Sequence, residues 1–113
     1  MTAEEIRAIV DRQRTYFRTG ATLDVDFRLR ALDRLAACIR ANETAIGEAI
    51  RQDLGKSAFE SYMCETGMVL SELSYIRRHL RAFAREHAVR TPLAQFHARS
   101  YKKPSPYGVT LIM

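Results

Sequence analysis

The chain has 113 residues, 47% of them hydrophobic and 27% charged, a composition that folds and excludes wholesale disorder. That length suits one domain or part of a larger one, and no run of 18 apolar residues exists to span a membrane. Two cysteines, Cys38 and Cys64, cannot build a disulfide framework and fit a reducing, cytoplasmic setting.

The N-terminus, Met1-Thr2-Ala3-Glu4-Glu5, is acidic, which argues against a secretory signal peptide. Thr2 and Glu5 have the spacing of a capping box, in which hydroxyl and carboxylate satisfy each other's free N–H groups. Ile6, Ile9, Val10, Gln13, Tyr16 and Phe17 follow at helical spacing, apolar on one side only, and Gly20 is a natural stop. Thr22 or Asp24 caps a second helix lined by Phe27, Arg28, Leu32, Leu35, Ala36 and Ile39. Asn42 then caps a short third helix carrying Ile46, Ala49, Ile50 and Leu54, ended by Gly55. Helices two and three read as a hairpin with a very short joint.

Ser57 and Glu60 form a second capping box. The stripe behind it runs through Phe59, Tyr62, Met63, Thr66, Val69, Leu70, Leu73, Ile76, Leu80 and Phe83 without a proline. It predicts one uninterrupted helix of about 40 Å, long for a small domain. Pro92 closes the helical region of residues 1–90, and Ser100-Tyr101-Lys102-Lys103 reads as a short edge strand. Tyr107–Met113 is apolar and partly β-branched, like a strand buried on both faces of a parallel sheet. The fold class is therefore predominantly α: four helices, then one or two strands. Apolar stripes and an unpaired strand make the isolated chain an aggregation hazard.

Charge is unevenly placed. Residues 1–76 carry 10 basic and 12 acidic side chains, whereas residues 77–113 carry 8 basic ones and a single acid, Glu86. Such a block invites a nucleic-acid or anionic-surface reading, but no binding motif and few aromatics accompany it, and a solvated helix face serves as well.

Candidate chemistry is thin. Gly55-Lys56-Ser57 looks like the tail of a phosphate loop, but position 50 is Ile rather than the required glycine, and a helix precedes it instead of a strand. Cys64 lies beside Glu65 with Glu60 one turn back, and Cys38 sits between Ala37 and Ile39. Neither has the cationic setting that makes a thiolate, so both read as structural. His79, His87 and His97 are eight and ten residues apart, which is no metal-ligand spacing. Glu65 and Glu72 share a helix side without a second catalytic partner, and the glycines are isolated. Spacing assigns no catalytic, cofactor-binding or metal residue.

An ordered set of stretches carries more. It comprises Gln13-Arg14-Thr15-Tyr16-Phe17-Arg18-Thr19-Gly20-Ala21-Thr22, Asp26-Phe27-Arg28 with Leu32, and Ala49 with Asp53-Leu54-Gly55-Lys56-Ser57. Phe59-Glu60, Glu65-Thr66-Gly67-Met68-Val69-Leu70-Ser71-Glu72 and His79-Leu80-Arg81 follow. Arg90-Thr91-Pro92-Leu93, Ala98-Arg99-Ser100-Tyr101 and Pro106-Tyr107-Gly108-Val109-Thr110-Leu111-Ile112-Met113 complete it. In this order and spacing the whole length resembles the N-terminal part of an aldehyde dehydrogenase of the class-3-like branch. Ser105 departs from the pattern, since many members have Glu before that Pro.

The resemblance implies an oxidoreductase family that converts aldehydes to carboxylic acids with NAD or NADP. A cysteine thiolate attacks the aldehyde, hydride passes to the nicotinamide, and water releases the acid. It implies the α/β aldehyde dehydrogenase fold with a Rossmann-like nucleotide-binding domain, of which residues 1–113 are a part. Within that part, residues 98–104 resemble the bridging strand of the dimer-forming sheet and 107–113 the first strand of the nucleotide-binding sheet. The family's oxyanion-holding asparagine, in a Trp-Asn-Tyr-Pro motif, its catalytic glutamate and its nucleophilic cysteine come later than Met113. Neither Cys38 nor Cys64 matches that nucleophile, so no catalytic or cofactor residue carries over.

The expectation is an N-terminal fragment, inactive alone, binding no cofactor by itself. Its partners would be the remainder of the enzyme or a homodimer mate, with no nucleic acid and no membrane span. The alternatives are a basic helical nucleic-acid-binding module, or a non-catalytic fragment that docks on a full-length family member.

Overall fold

A computed structural model of the chain describes residues 2–112. They fall into two compact units, residues 28–80 and residues 2–27 together with 81–112.

Helix α1, Ala3–Arg18, begins at the expected capping box. The Glu5 N–H donates to Thr2 Oγ1 at 3.2 Å and the Thr2 N–H to Glu5 Oε2 at 2.7 Å. Gly20, at φ 75°, turns the chain out of the helix in the left-handed region that glycine enters without strain. A 3₁₀ turn, Ala21–Leu23, follows, a feature the sequence reading lacked. Of the two candidate caps for α2, Val25–Ala41, it is Asp24 that acts, accepting from the N–H groups of Asp26 at 3.1 Å and Phe27 at 3.0 Å.

Asn42 departs from its expected role. It stands at the N-cap position of α3, Glu43–Leu54, but makes no side-chain cap to it. Its amide instead reaches back and donates to the Cys38 carbonyl at 2.8 Å, closing the end of α2. Gly55, at φ 68°, ends α3 as expected, with its N–H on the Arg51 carbonyl at 2.9 Å.

Residues 58–84 are helical throughout, but not as one α-helix. Helix α4, Ala58–Ser61, opens on the Ser57–Glu60 capping box. A π turn, Tyr62–Thr66, follows, and α5 runs Gly67–Ala84. In the π turn the Gly67 N–H bonds to the Tyr62 carbonyl, five residues back. Periodicity of three and four does not report this, because one wider turn shifts the apolar stripe only slightly.

The region expected to be helical to residue 90 ends earlier. His87–Val89 forms strand β1, which pairs antiparallel with β2, Ser100–Lys102, in the register His87↔Lys102, Ala88↔Tyr101, Val89↔Ser100. The Glu86–Lys103 ion pair, 3.1 Å, flanks the first of these pairs. Both strands are edges, as expected for 100–103. Residues 107–112 join no ladder, and Met113 lies outside the described residues. Among the described residues no helix is long and apolar enough to cross a membrane.

Few side chains are interior. Leu73, 8% exposed, is the one buried hydrophobic residue among those described, joined by the polar pair Ser61 and Thr66 at 2% and 5%. Helices α1, α2 and α3 carry no buried residue. Phe59, Met63, Met68, Leu93 and Phe96 all lie open to solvent.

Candidate functional site

The structure disperses most of the candidates. Cys38 and Cys64 are both free and exposed, on α2 and in the π turn respectively. The polar neighbour of Cys38 is Asn42, whose amide nitrogen lies 3.6 Å from the sulfur. Lys56 does not form part of a phosphate loop. Its ammonium is paired to Glu65, nine residues on, which accounts for both residues and holds the Lys56 pKa above its ordinary value.

His79 lies against the Tyr75 ring at 4.3 Å, with Nδ1 2.8 Å from the Tyr75 carbonyl oxygen. His97 stacks on Phe96 at 4.1 Å and adopts φ 77°, uncommon outside glycine. Among the described residues no group of three His, Cys, Asp or Glu is placed to hold a metal ion. In the basic block, Arg77 pairs with Asp33 at 2.6 Å, Arg81 pairs with Asp26, and Lys103 pairs with Glu86.

A glycine-rich dinucleotide cradle is not found among the described residues. Such a cradle needs closely spaced glycines at a strand-to-helix turn so that backbone N–H groups can reach the pyrophosphate. Gly20, Gly47, Gly55, Gly67 and Gly108 stand in separate elements, and both strands lie beyond the last helix.

Two concave regions stand out within single units. In one, residues 107–111 share a groove with Val10, Arg14, Phe17 and Arg18 of α1. In the other, α3 and the α4–π segment enclose a cleft of about 440 Å³. Its walls include Ser61 and Thr66, whose hydroxyls are buried and have no hydrogen-bond partner among the described residues. It also includes the bidentate pair of Arg51 with Glu48, Nε to Oε2 at 2.9 Å and Nη2 to Oε1 at 2.8 Å. With Gln52 adding a third bond, these contacts hold the Glu48 carboxyl down at about 2. Ser61 and Thr66 are not among the residues that spacing singles out as candidates. The signal was a glycine, Gly67, set inside a helical stripe next to Thr66.

The sequence matches the aldehyde dehydrogenase family over residues 1–113, and the chain belongs to that family. It is 37% identical over 100 residues to the 4,4'-diaponeurosporen-aldehyde dehydrogenase of Staphylococcus aureus, covering 88% of this chain and 22% of that protein. Against aldehyde dehydrogenase family 3 member B1 of Rattus norvegicus it is 33% identical over 100 residues, 88% of this chain and 21% of that one. The solved substrate-bound state of Staphylococcus aureus AldH superposes with a TM-score of 0.84 at 34% identity, covering 95% of this chain and 23% of its own. The chain thus spans about a fifth of the length of the curated relatives it matches.

Proposed function

We propose that this chain is the N-terminal helical portion of a class-3-like, NAD(P)-dependent aldehyde dehydrogenase and that it turns over no aldehyde alone. The observation that carries this reading is the superposition on an aldehyde dehydrogenase over 95% of this chain but 23% of the other. The physical state of the chain supports it. Apolar faces on α1 to α5 with a single buried hydrophobic residue among those described are surfaces shaped to lean on further protein.

In this reading a nicotinamide nucleotide would supply the hydride acceptor, and the residues that would hold it, the nucleophilic cysteine and the catalytic glutamate all belong to the remainder of the enzyme. Strand β2 contributes to the bridging sheet of a homodimer, and residues 107–113 open the nucleotide-binding sheet. An open edge on β2 and the lack of a ladder at 107–112 leave the backbone groups for both pairings free to be used.

The test is a turnover assay of the purified 113-residue chain with NAD or NADP and small aldehydes. The expected result is no nicotinamide reduction, and cysteine-dependent turnover overturns the proposal. The coding sequence past the Met113 codon provides a second check: an in-frame Trp-Asn-Tyr-Pro is expected shortly downstream.

A further inference from the structure

The loop joining β1 to β2 carries its large apolar side chains outward: Leu93 is 88% exposed and Phe96 79%. A 3₁₀ turn, Leu93–Gln95, makes the tip, and the Phe96 N–H donates to the Leu93 carbonyl at 3.1 Å. At a spacing of three the side chains of a 3₁₀ turn eclipse, so Leu93 and Phe96 share a side. His97 follows with its ring 4.1 Å from that of Phe96 and its backbone in the left-handed region, a strained setting that recurs in binding loops.

The tip closes its backbone on itself. Besides the Phe96 bond, the Gln95 N–H donates to the Pro92 carbonyl at 2.9 Å and the Ala98 N–H to the Gln95 carbonyl at 2.9 Å. At the neck the Ser100 N–H donates to Thr91 Oγ1 at 3.0 Å, and Pro92 has no N–H to satisfy. A loop whose backbone donors are paired internally enters an apolar medium at low cost. The flanks are basic. From His87 to Met113 the chain holds Arg90, Arg99, Lys102 and Lys103 and no Asp or Glu. Lys103 pairs with Glu86, whereas Arg90, Arg99 and Lys102 are exposed and make no ion pair among the described residues. A nucleic-acid duplex would answer these cations alone. An anionic lipid surface answers both features, with phosphates for the cations and acyl chains for the apolar tip.

We infer that residues 92–97 form a docking loop for an anionic membrane surface. Leu93 and Phe96 enter the headgroup boundary, and Arg90, Arg99 and Lys102 face the lipid phosphates. Two apolar side chains and three cations give reversible attachment to the surface and no span. The inference is independent of the aldehyde dehydrogenase reading and of any catalysis.

The chain has no tryptophan, so Phe96→Trp puts a single reporter at the tip. Phe59→Trp, on α4 and 71% exposed, supplies the control. Full 113-residue chains with either substitution are titrated with vesicles of phosphatidylcholine containing about 30% phosphatidylglycerol, with pure phosphatidylcholine vesicles and with duplex DNA. The emission of Phe96→Trp is expected to shift to the blue on the anionic vesicles alone, and that of Phe59→Trp to stay unchanged. Added to Phe96→Trp, Arg90→Gln/Arg99→Gln lowers the apparent affinity about tenfold or more, and Leu93→Ser does likewise. These side chains are all exposed, so the fold survives their replacement. No shift on anionic vesicles, an equal affinity for neutral ones, or an equal shift of Phe59→Trp overturns the inference. An emission already blue without vesicles overturns it too, since protein then covers the tip. Binding to DNA without a vesicle response assigns the basic flank to nucleic acid instead.

Discussion

A methyl group built on Gly67 would lie 2.6 Å from the Tyr62 carbonyl oxygen and 3.2 Å from the Tyr62 ring. The π turn brings that carbonyl, five residues back, against the glycine Cα, so the position tolerates no side chain without opening the turn. Alanine ordinarily favours a helix over glycine by about 1 kcal/mol. At this position the sign reverses. Gly67→Ala is expected to destabilise the chain by about 1–3 kcal/mol, the usual range for overpacking. Gly47→Ala, in the interior of α3 with open space around its Cβ, is expected to stabilise by about 0.5–1 kcal/mol. Denaturant midpoints of the two variants should move in opposite directions, and a common direction would remove the steric account of the π turn.

Acid should act on Glu48 in a defined window. Hydrogen bonds from Arg51 first, and from Gln52 second, hold its carboxyl at about 2 against an ordinary 4.5. Between those values the unfolded chain binds the proton and the folded chain does not, so lowering the pH favours unfolding. The contribution is complete above 4.5 and is lost as the pH falls toward 2. The gap in melting temperature between the native chain and Glu48→Gln should therefore be constant at higher pH and close across that interval. A gap that persists at the acid end would contradict the assignment.

Asp24 closes two N–H groups at the start of α2. Asp24→Ala is expected to cost about 1 kcal/mol, and Asp24→Asn a good deal less, since asparagine caps nearly as well. Equal losses in urea unfolding would indicate that charge, not capping, is what Asp24 supplies.

Both thiols are exposed and free. A native-state reaction with a thiol reagent should consume two equivalents per chain without denaturant, and Cys38→Ser and Cys64→Ser should each remove one. Protection of either cysteine before unfolding would show that its surroundings are closed.

The capping boxes at Thr2 and Ser57 and the stops at Gly20 and Gly55 were legible because each is a local contract between residues three or four apart. Asn42 was not, since an asparagine at a helix–helix joint can serve the helix behind it as readily as the one ahead, and only geometry decides. Strand β1 escaped because its three residues make sense only beside Ser100–Lys102. The cleft was least legible of all. Ser61 and Thr66 are ordinary helix residues in sequence, and what distinguishes them, burial without a hydrogen-bond partner among the described residues, is a property of packing. The family, by contrast, was readable from Gln13–Thr22 through Pro106–Met113, because many short matches in order constrain more than any single motif.

Leu73 stands nearly alone in the interior, and this has a calorimetric meaning. The heat-capacity increment of melting comes from wetting nonpolar atoms, and ordinary globular proteins show about 12–15 cal/mol/K per residue. A polypeptide whose greasy surface is already wet before it melts has little left to hydrate. Its endotherm should be broad and shallow, with a baseline step well below that figure.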